Sequence, residues 1–220
     1  SETGYAYLAQ ALAAHGWLTI VPGHHESGRE ALAKATKQKG LKEGLADLIT
    51  APAAYQGRFM DIAIARSWGL ERCASQRSVL LGHSMGAATA MLMAGAQNKL
   101  GLSGIDNFDL YVALSPQGVG PIFPAHAWQG ITKPVLMLTG TQDDELGGGS
   151  WRVRLQPFAD MQPGCKWLGV IDGASHMNFA GRGMSRNTEA ITQQIVLAFL
   201  AAPPACHSPV VLDGLQLQTK

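Results

Sequence analysis

Residues 78–93 (SVLLGHSMGAATAMLM) set a β-favouring run, a five-residue turn and an Ala-rich helical run end to end. Few folds accept that order. A buried strand that passes into a helix through one tight turn belongs to a sheet with helices packed on it. The turn reads Gly82-His83-Ser84-Met85-Gly86, or G-x-S-x-G. That spacing suits a serine held in strained backbone geometry at the strand's end, with glycines on either side so that side chains do not collide. The hydroxyl then faces a cleft, and the helix N-terminus orients the Met85 N–H to receive an oxyanion. In a chain with 26 glycines the bare pentapeptide is a weak signal, and the strand and helix around it give it weight.

The same alternation runs through the chain. Short apolar runs at Trp17–Val21, Ser78–Gly82, Asp109–Leu114, Pro134–Thr139 and Lys166–Ile171 predict buried strands, each bounded by Gly, Pro or polar residues. Helical spacing marks Tyr5–His15, Arg58–Cys73, Met85–Gln97, Trp151–Asp160 and Asn187–Leu200. Strands alternating with helices predict the α/β class, a mainly parallel sheet with helices on both faces. The stretch Gly28–Thr50 reads as a mobile, partly helical excursion able to cap the site, and 201–220 as a tail or an extra edge strand. With 220 residues, 46% of them hydrophobic, the chain suits one domain over 1–200 followed by that segment.

Several classes of partner are excluded. Seventeen Lys and Arg against sixteen Asp and Glu leave a formal charge of +1 with no basic run, so no nucleic-acid surface is expected. No apolar run reaches the roughly 18 to 20 residues of a membrane span. Three cysteines, Cys73, Cys165 and Cys206, without a C-x-x-C pair, exclude a disulfide scaffold and a zinc site. They leave room for one disulfide, with Cys206 its most apt member.

A serine hydroxyl at neutral pH needs a base, and the base needs a carboxylate to orient it. Both follow strands, where open α/β sheets place their sites. After Pro134–Thr139 comes Gly140-Thr141-Gln142-Asp143-Asp144-Glu145, and after Lys166–Ile171 comes Asp172-Gly173-Ala174-Ser175-His176. Asp143 is the preferred acid, ahead of Asp144 and then Glu145, because it lies three residues past Gly140 as the strand leaves the sheet. A solvated acidic loop, or a cation held by Asp143, Asp144 and Glu145, is the alternative. His176 is the base. His83 reads as a packing residue inside the turn, His24 and His25 as residues near the cleft, and His15, His126 and His207 have no supporting context. Met85, Phe123, Trp128, Trp151, Met177 and Phe179 stand close in sequence to these loops and are the expected apolar substrate wall, with ordinary core packing as their alternative. No cofactor or metal is called for, because Ser84, His176 and Asp143 supply nucleophile, base and electrostatics.

The stretches GYAYLAQALAAHGWLTIVPGHH, RFMDIAIA, LLGHSMGAATA, ALSPQG, PVLMLTGTQDDELGG and DGASHMNF resemble the serine α/β-hydrolases grouped as predicted dienelactone hydrolases, relatives of platelet-activating-factor acetylhydrolases and cutinase-like polyester hydrolases. The resemblance covers most of Tyr5–Leu200. It implies Ser84 as nucleophile, Asp143 as acid, His176 as base, Met85 as one oxyanion donor, and an ester as the small-molecule substrate. Lactone hydrolysis or acyl transfer on the same three residues, and a binding protein with impaired turnover, are the competing readings. Kinship is compatible with a secreted or periplasmic protein as with a cytoplasmic one.

The chain departs from that pattern at its start. In such hydrolases an opening hairpin and a further strand precede the helix that here begins near Tyr5, and that strand ends in a loop giving the second oxyanion N–H. It lies between the strands that correspond to Trp17–Val21 and Ser78–Gly82. The expectation is therefore a sheet lacking the family's N-terminal strands, and a fragment of a longer protein or a chain completed by a second one.

Overall fold

Every short apolar run from Ser78 onward takes a place in one sheet. Strands β1 (Val79–His83), β2 (Leu110–Leu114), β3 (Val135–Gln142) and β4 (Lys166–Ser175) lie parallel in that order, and β5 (Leu215–Thr219) follows antiparallel to β4. The computed structural model describes residues 2–26, 28–74, 77–145, 148–203, 206 and 210–220. Its helices are α1 (Ala6–Ala14), α2 (Arg29–Lys39), α3 (Leu41–Thr50), α4 (Pro52–Arg72), α5 (Met85–Met93), α6 (Gln156–Asp160) and α7 (Arg186–Ala201). The run 151–160 thus divides into a 3-10 turn, Trp151–Leu155, and the short α6. Among the described residues no helix is long and apolar enough to cross a membrane.

The middle strand shows why these runs are apolar throughout rather than alternating. Tyr111 and Ala113 of β2 face one core, shared with Tyr55 and Ile62 of α4 and Met91 and Leu92 of α5. Leu110, Val112 and Leu114 face another, shared with Leu8 and Leu12 of α1 and Ile195 and Phe199 of α7. Both faces are dry, and each large side chain buried there contributes about 1.5 to 3 kcal/mol. Leu8 and Leu12, one turn apart, dock α1, which stops at Gly16 in the left-handed conformation (φ 84°).

The excursion 28–50 forms α2 and α3, which pack on one another. The tail returns to the sheet as β5, and a Cys165–Cys206 disulfide ties it to the start of β4, where Trp167 Nε1 donates to the Cys206 carbonyl at 3.3 Å. Cys73 is free.

One expected strand does not form. Trp17–Val21 joins no ladder, and Leu18, Ile20 and Val21 are 47%, 37% and 39% exposed. Its residues favour a strand, but a strand needs a partner strand, and none of the described residues forms one beside it; Leu18 and Ile20 instead approach Gly69 of α4. Among the described strands β1 is one edge of the sheet and β5 the other; the five residues of β1 are all half-buried, whereas those of β2 are all buried. The Ser78 carbonyl and the Ser84 N–H both point to β2, accepting from Leu110 and donating to Leu114. By the alternation of a strand's main-chain groups, Val79, Leu81 and His83 turn theirs to the open side.

Candidate active site

The turn between β1 and α5 is under strain at one residue. Ser84 has φ 57° and ψ −118°, a conformation few non-glycine residues adopt, at a cost of about 1 to 3 kcal/mol. Its N–H donates to the Leu114 carbonyl at 3.0 Å and its carbonyl accepts from Ala88 at 3.1 Å, so β2 and α5 hold the distortion. The two flanking glycines are not equivalent. A Cβ on Gly82 would meet the Gly86 carbonyl oxygen at 2.1 Å, whereas one on Gly86 would meet nothing within 4 Å. Crowding therefore demands only Gly82, and the expected need for both glycines is corrected. Met85 opens α5, where the first N–H groups have no partner within the helix.

Parallel strands bring their C-terminal ends to one side of the sheet, and the loops after β3 and β4 meet Ser84 there. His176 Nε2 lies 3.0 Å from Ser84 Oγ, and His176 Nδ1 lies 2.8 Å from Asp143 Oδ1. Gly140 lets the two loops approach, since a Cβ there would sit 2.1 Å from the Ala174 carbonyl oxygen. Asp143 is fully buried, and Thr139 Oγ1 donates to its other oxygen, Oδ2, at 2.9 Å. The Asp143 carboxylate is thus spent on neighbours of this chain. Asp144 accepts from the Trp151 N–H at 2.8 Å, and the carboxylate of Glu145 turns toward Gly149.

The histidines divide. His83 packs against His176 with ring centroids 4.7 Å apart and planes tilted by 42°, and its Nδ1 is 2.8 Å from the Tyr5 hydroxyl. Burial, reinforced by the neighbouring His176, pushes His83 down to about 3, so it stays neutral. Its Nε2 has no hydrogen-bond partner among the described residues. His24 lines the cavity and pairs with Asp61 at 2.7 Å; burial lowers its pKa and Asp61 opposes that. His25 is exposed, His15 bonds the Ala11 carbonyl, and His126 bonds Asp160 on the surface, while His207 lies outside the described residues.

A cavity of about 1120 Å³ opens beside Ser84 and His176. Trp17–His24 forms one wall and Arg77–Gly86 the other, each an unbroken run, with Leu12 of α1 and Ile62 of α4 among the apolar residues between them. Both runs are contiguous, so each lines the cavity along its whole length.

The expected apolar wall is corrected. Of the residues named for it only Met85 lines the cavity. Phe123 and Trp128 pack against each other inside the core, rings 5.2 Å apart. Phe179 is fully buried, with its ring 6.2 Å from that of His83. Trp151 carries the Arg152 guanidinium 4.8 Å above its ring, and Met177 faces solvent at 44% exposure. Nearness in sequence to a loop does not set a side chain's direction.

Sequence reasoning passed over Arg154. Only 3% exposed, it lies beneath the site, with Nε 2.7 Å from the Asp143 carbonyl oxygen and 3.1 Å from Asp143 Oδ1. Its Nη1 donates to the Ser115 and Pro116 carbonyls at 3.2 and 3.1 Å, and Nη2 to the Asp144 carbonyl at 3.4 Å.

No family model matches the chain, and no curated protein does. Solved structures match. One, described as "LipS and LipT, two metagenome-derived lipolytic enzymes", aligns with a TM-score of 0.60 at 14% identity, over 91% of this chain and 89% of that one. Another, an alpha-beta serine hydrolase homologue from Coxiella burnetii, aligns at 20% identity with a TM-score of 0.47 over 64% of this chain, which spans 60% of that structure. At such identities the likeness is one of architecture. With its mainly parallel sheet clad by helices, the chain has the α/β-hydrolase fold.

Proposed function

We propose that this chain is a serine hydrolase of carboxylic esters, with small and medium acyl groups as its substrates. The observation that carries the reading is the unbroken line from Ser84 Oγ to His176 Nε2 at 3.0 Å and from His176 Nδ1 to Asp143 at 2.8 Å. Ser84 attacks the ester carbonyl as His176 Nε2 takes its proton, and the Met85 N–H receives the oxyanion. Collapse expels the alcohol, to which His176 returns the proton. Water then repeats the sequence on the acyl-enzyme and frees the acid and Ser84. Asp143 holds the Nδ1 proton and so selects the tautomer with Nε2 free to act as base. The apolar cavity beside Ser84 supports an acyl group as the occupant of the site.

Hydrolysis of p-nitrophenyl acetate and butyrate tests this, with Ser84→Ala as control. The variant is expected to lose at least about a thousandfold in kcat. Equal rates for the two proteins would remove Ser84 from the chemistry.

We also propose that the slot between Trp17–Val21 and β1 receives an extended, apolar strand of polypeptide. By strand alternation Val79, Leu81 and His83 of β1 turn their main-chain groups to this slot, and a peptide, with N–H and C=O groups of its own, can pair with them where an acyl chain cannot. Such a strand would run toward Ser84 and could supply a second oxyanion N–H, a donor worth about 2.7 to 4 kcal/mol in the transition state.

A further inference from the structure

We propose that Arg154 is a positioning residue that keeps His176 available as a base by offsetting the charge of Asp143. The inference rests on the reading of Ser84, His176 and Asp143 given above. Asp143 Oδ1 is shared: His176 Nδ1 reaches it at 2.8 Å and Arg154 Nε at 3.1 Å. Arg154 Nη2 also comes within 3.4 Å of His176 Nδ1. Two tautomers could be drawn, and the carboxylate chooses between them. With the proton on Nε2, Nδ1 would accept from Arg154 but would face Asp143 Oδ1 at 2.8 Å, acceptor against acceptor. With the proton on Nδ1 the contact with Asp143 becomes a hydrogen bond, and the 3.4 Å approach of Nη2 sets two N–H groups side by side.

That approach has a consequence for charge. A fully buried carboxylate alone beside an imidazole favours the imidazolium, and a base already protonated cannot take the serine's proton. A guanidinium at this distance opposes the imidazolium and balances the carboxylate, so the Asp143–Arg154 pair orients the ring without saturating it. Nothing in solvent substitutes for it, because both partners are buried. The carbonyls of Ser115, Pro116 and Asp144 fix the guanidinium plane, tying the loops after β2 and β3 to the 3-10 turn that carries Arg154.

The other groups near His176 do not supply this balance. His83, from β1, is neutral and touches it ring to ring, with the Tyr5 hydroxyl behind. Glu145 lines the same cavity and carries the opposite charge; Arg58 lines it as well, and Arg58 and Arg182 lower the Tyr5 pKa against its burial, whereas the guanidinium in contact with Asp143 and His176 is that of Arg154.

The test is an NMR titration of the His176 ring in the wild type and in Arg154→Met, Arg154→Gln and Arg154→Lys, paired with the pH dependence of Ser84 phosphonylation by a fluorophosphonate. Both neutral variants are expected to move the His176 midpoint, and with it the acid limb of phosphonylation, to higher pH by about one unit or more. Lysine should hold the midpoint nearer the wild type while slowing phosphonylation at its plateau, since an ammonium cannot span the same carbonyls. Arg154→Gln keeps a polar side chain for the buried carbonyls, in case Arg154→Met does not fold. A folded neutral variant with an unmoved midpoint overturns the proposal, as does a lysine variant that moves as far as the neutral ones. A purely structural role would lower the plateau and leave the midpoint in place. The titration needs no turnover, so wild-type protein that no phosphonate labels would count against the hydrolase reading and leave the titration to decide the role of Arg154.

Discussion

The inner strands of the sheet and its β1 edge are built differently. From β2 to β4 every strand is paired on both sides and buried on both faces, and the loops that carry Asp143 and His176 leave from there. At β1 the pairing stops on one side, and the strand-like segment Trp17–Val21 forms no ladder with any described segment. Ser84 stands at the seam. Its N–H is fixed by Leu114 of the closed side while its neighbours Leu81 and His83 turn main-chain groups to the open side. The contrast teaches that Asp143 and His176 are positioned by the paired strands, whereas Ser84 is held between those strands and the edge strand β1.

That contrast can be broken by substitution. Trp167→Ala, in the closed half against Phe199, is expected to destabilise the fold by about 3 to 5 kcal/mol, while Ile20→Ala, on the open wall, should cost about 1 kcal/mol or less. Thermal or urea unfolding of the two variants measures the difference, and equal losses would mean that the open wall is as tightly held as the core.

The closed side also contains a buried cation with a pH signature. Lys166 is 1% exposed at the start of β4, donating to the carbonyls of Thr132, Lys133 and Gly164 at 3.2, 2.7 and 2.7 Å. Burial, with Lys220 adding to it, pushes Lys166 down to about 8. The unfolded chain therefore keeps a proton that the folded one sheds above pH 8, and stability gains from this group as pH rises from about 8 to 10, by no more than about 3 kcal/mol. Above that the sign reverses, because burial raises Tyr7 and Tyr55 and the folded state holds their protons longer. Unfolding midpoints across this range, compared with Lys166→Met, should show the rise in the wild type and a flatter curve in the variant.

The smallest expected effect lies at the open margin. An edge with unpaired main-chain groups invites pairing with a second copy. Val79→Pro removes an N–H that faces the slot and leaves the ladder to β2 intact. In sedimentation velocity the wild type is expected to self-associate more than this variant, and equal behaviour would count against pairing of two copies through β1.

How much of this is legible in the sequence depends on the range of the interaction. The turn at Ser84 is local: a strand, five residues and a helix, all contiguous, so chemistry and geometry are read together. His176 and Asp143 are one step removed, but parallel strands bring their C-terminal ends together, so residues after strands are natural candidates. Arg154 is a different case. Arg152 and Arg154 sit in the same WRVRL run, and only the tertiary packing of the 3-10 turn sends one over Trp151 and the other beneath Asp143. Phe123, Trp128 and Phe179 fail as substrate wall for the same reason, since direction is set by packing. Trp17–Val21 shows the converse: its β-favouring residues are plain, but a ladder requires a partner that propensity cannot supply.

The positive φ at Ser84 places part of the molecule's folding free energy at the residue whose hydroxyl meets the cavity. Leu114 and Ala88 act as the two fixed ends of a spring, and the tension between them is spent on aim rather than on cohesion. A glycine in that place would relax the angle and remove the hydroxyl with it, so the strain and the side chain that meets His176 are inseparable at this one position.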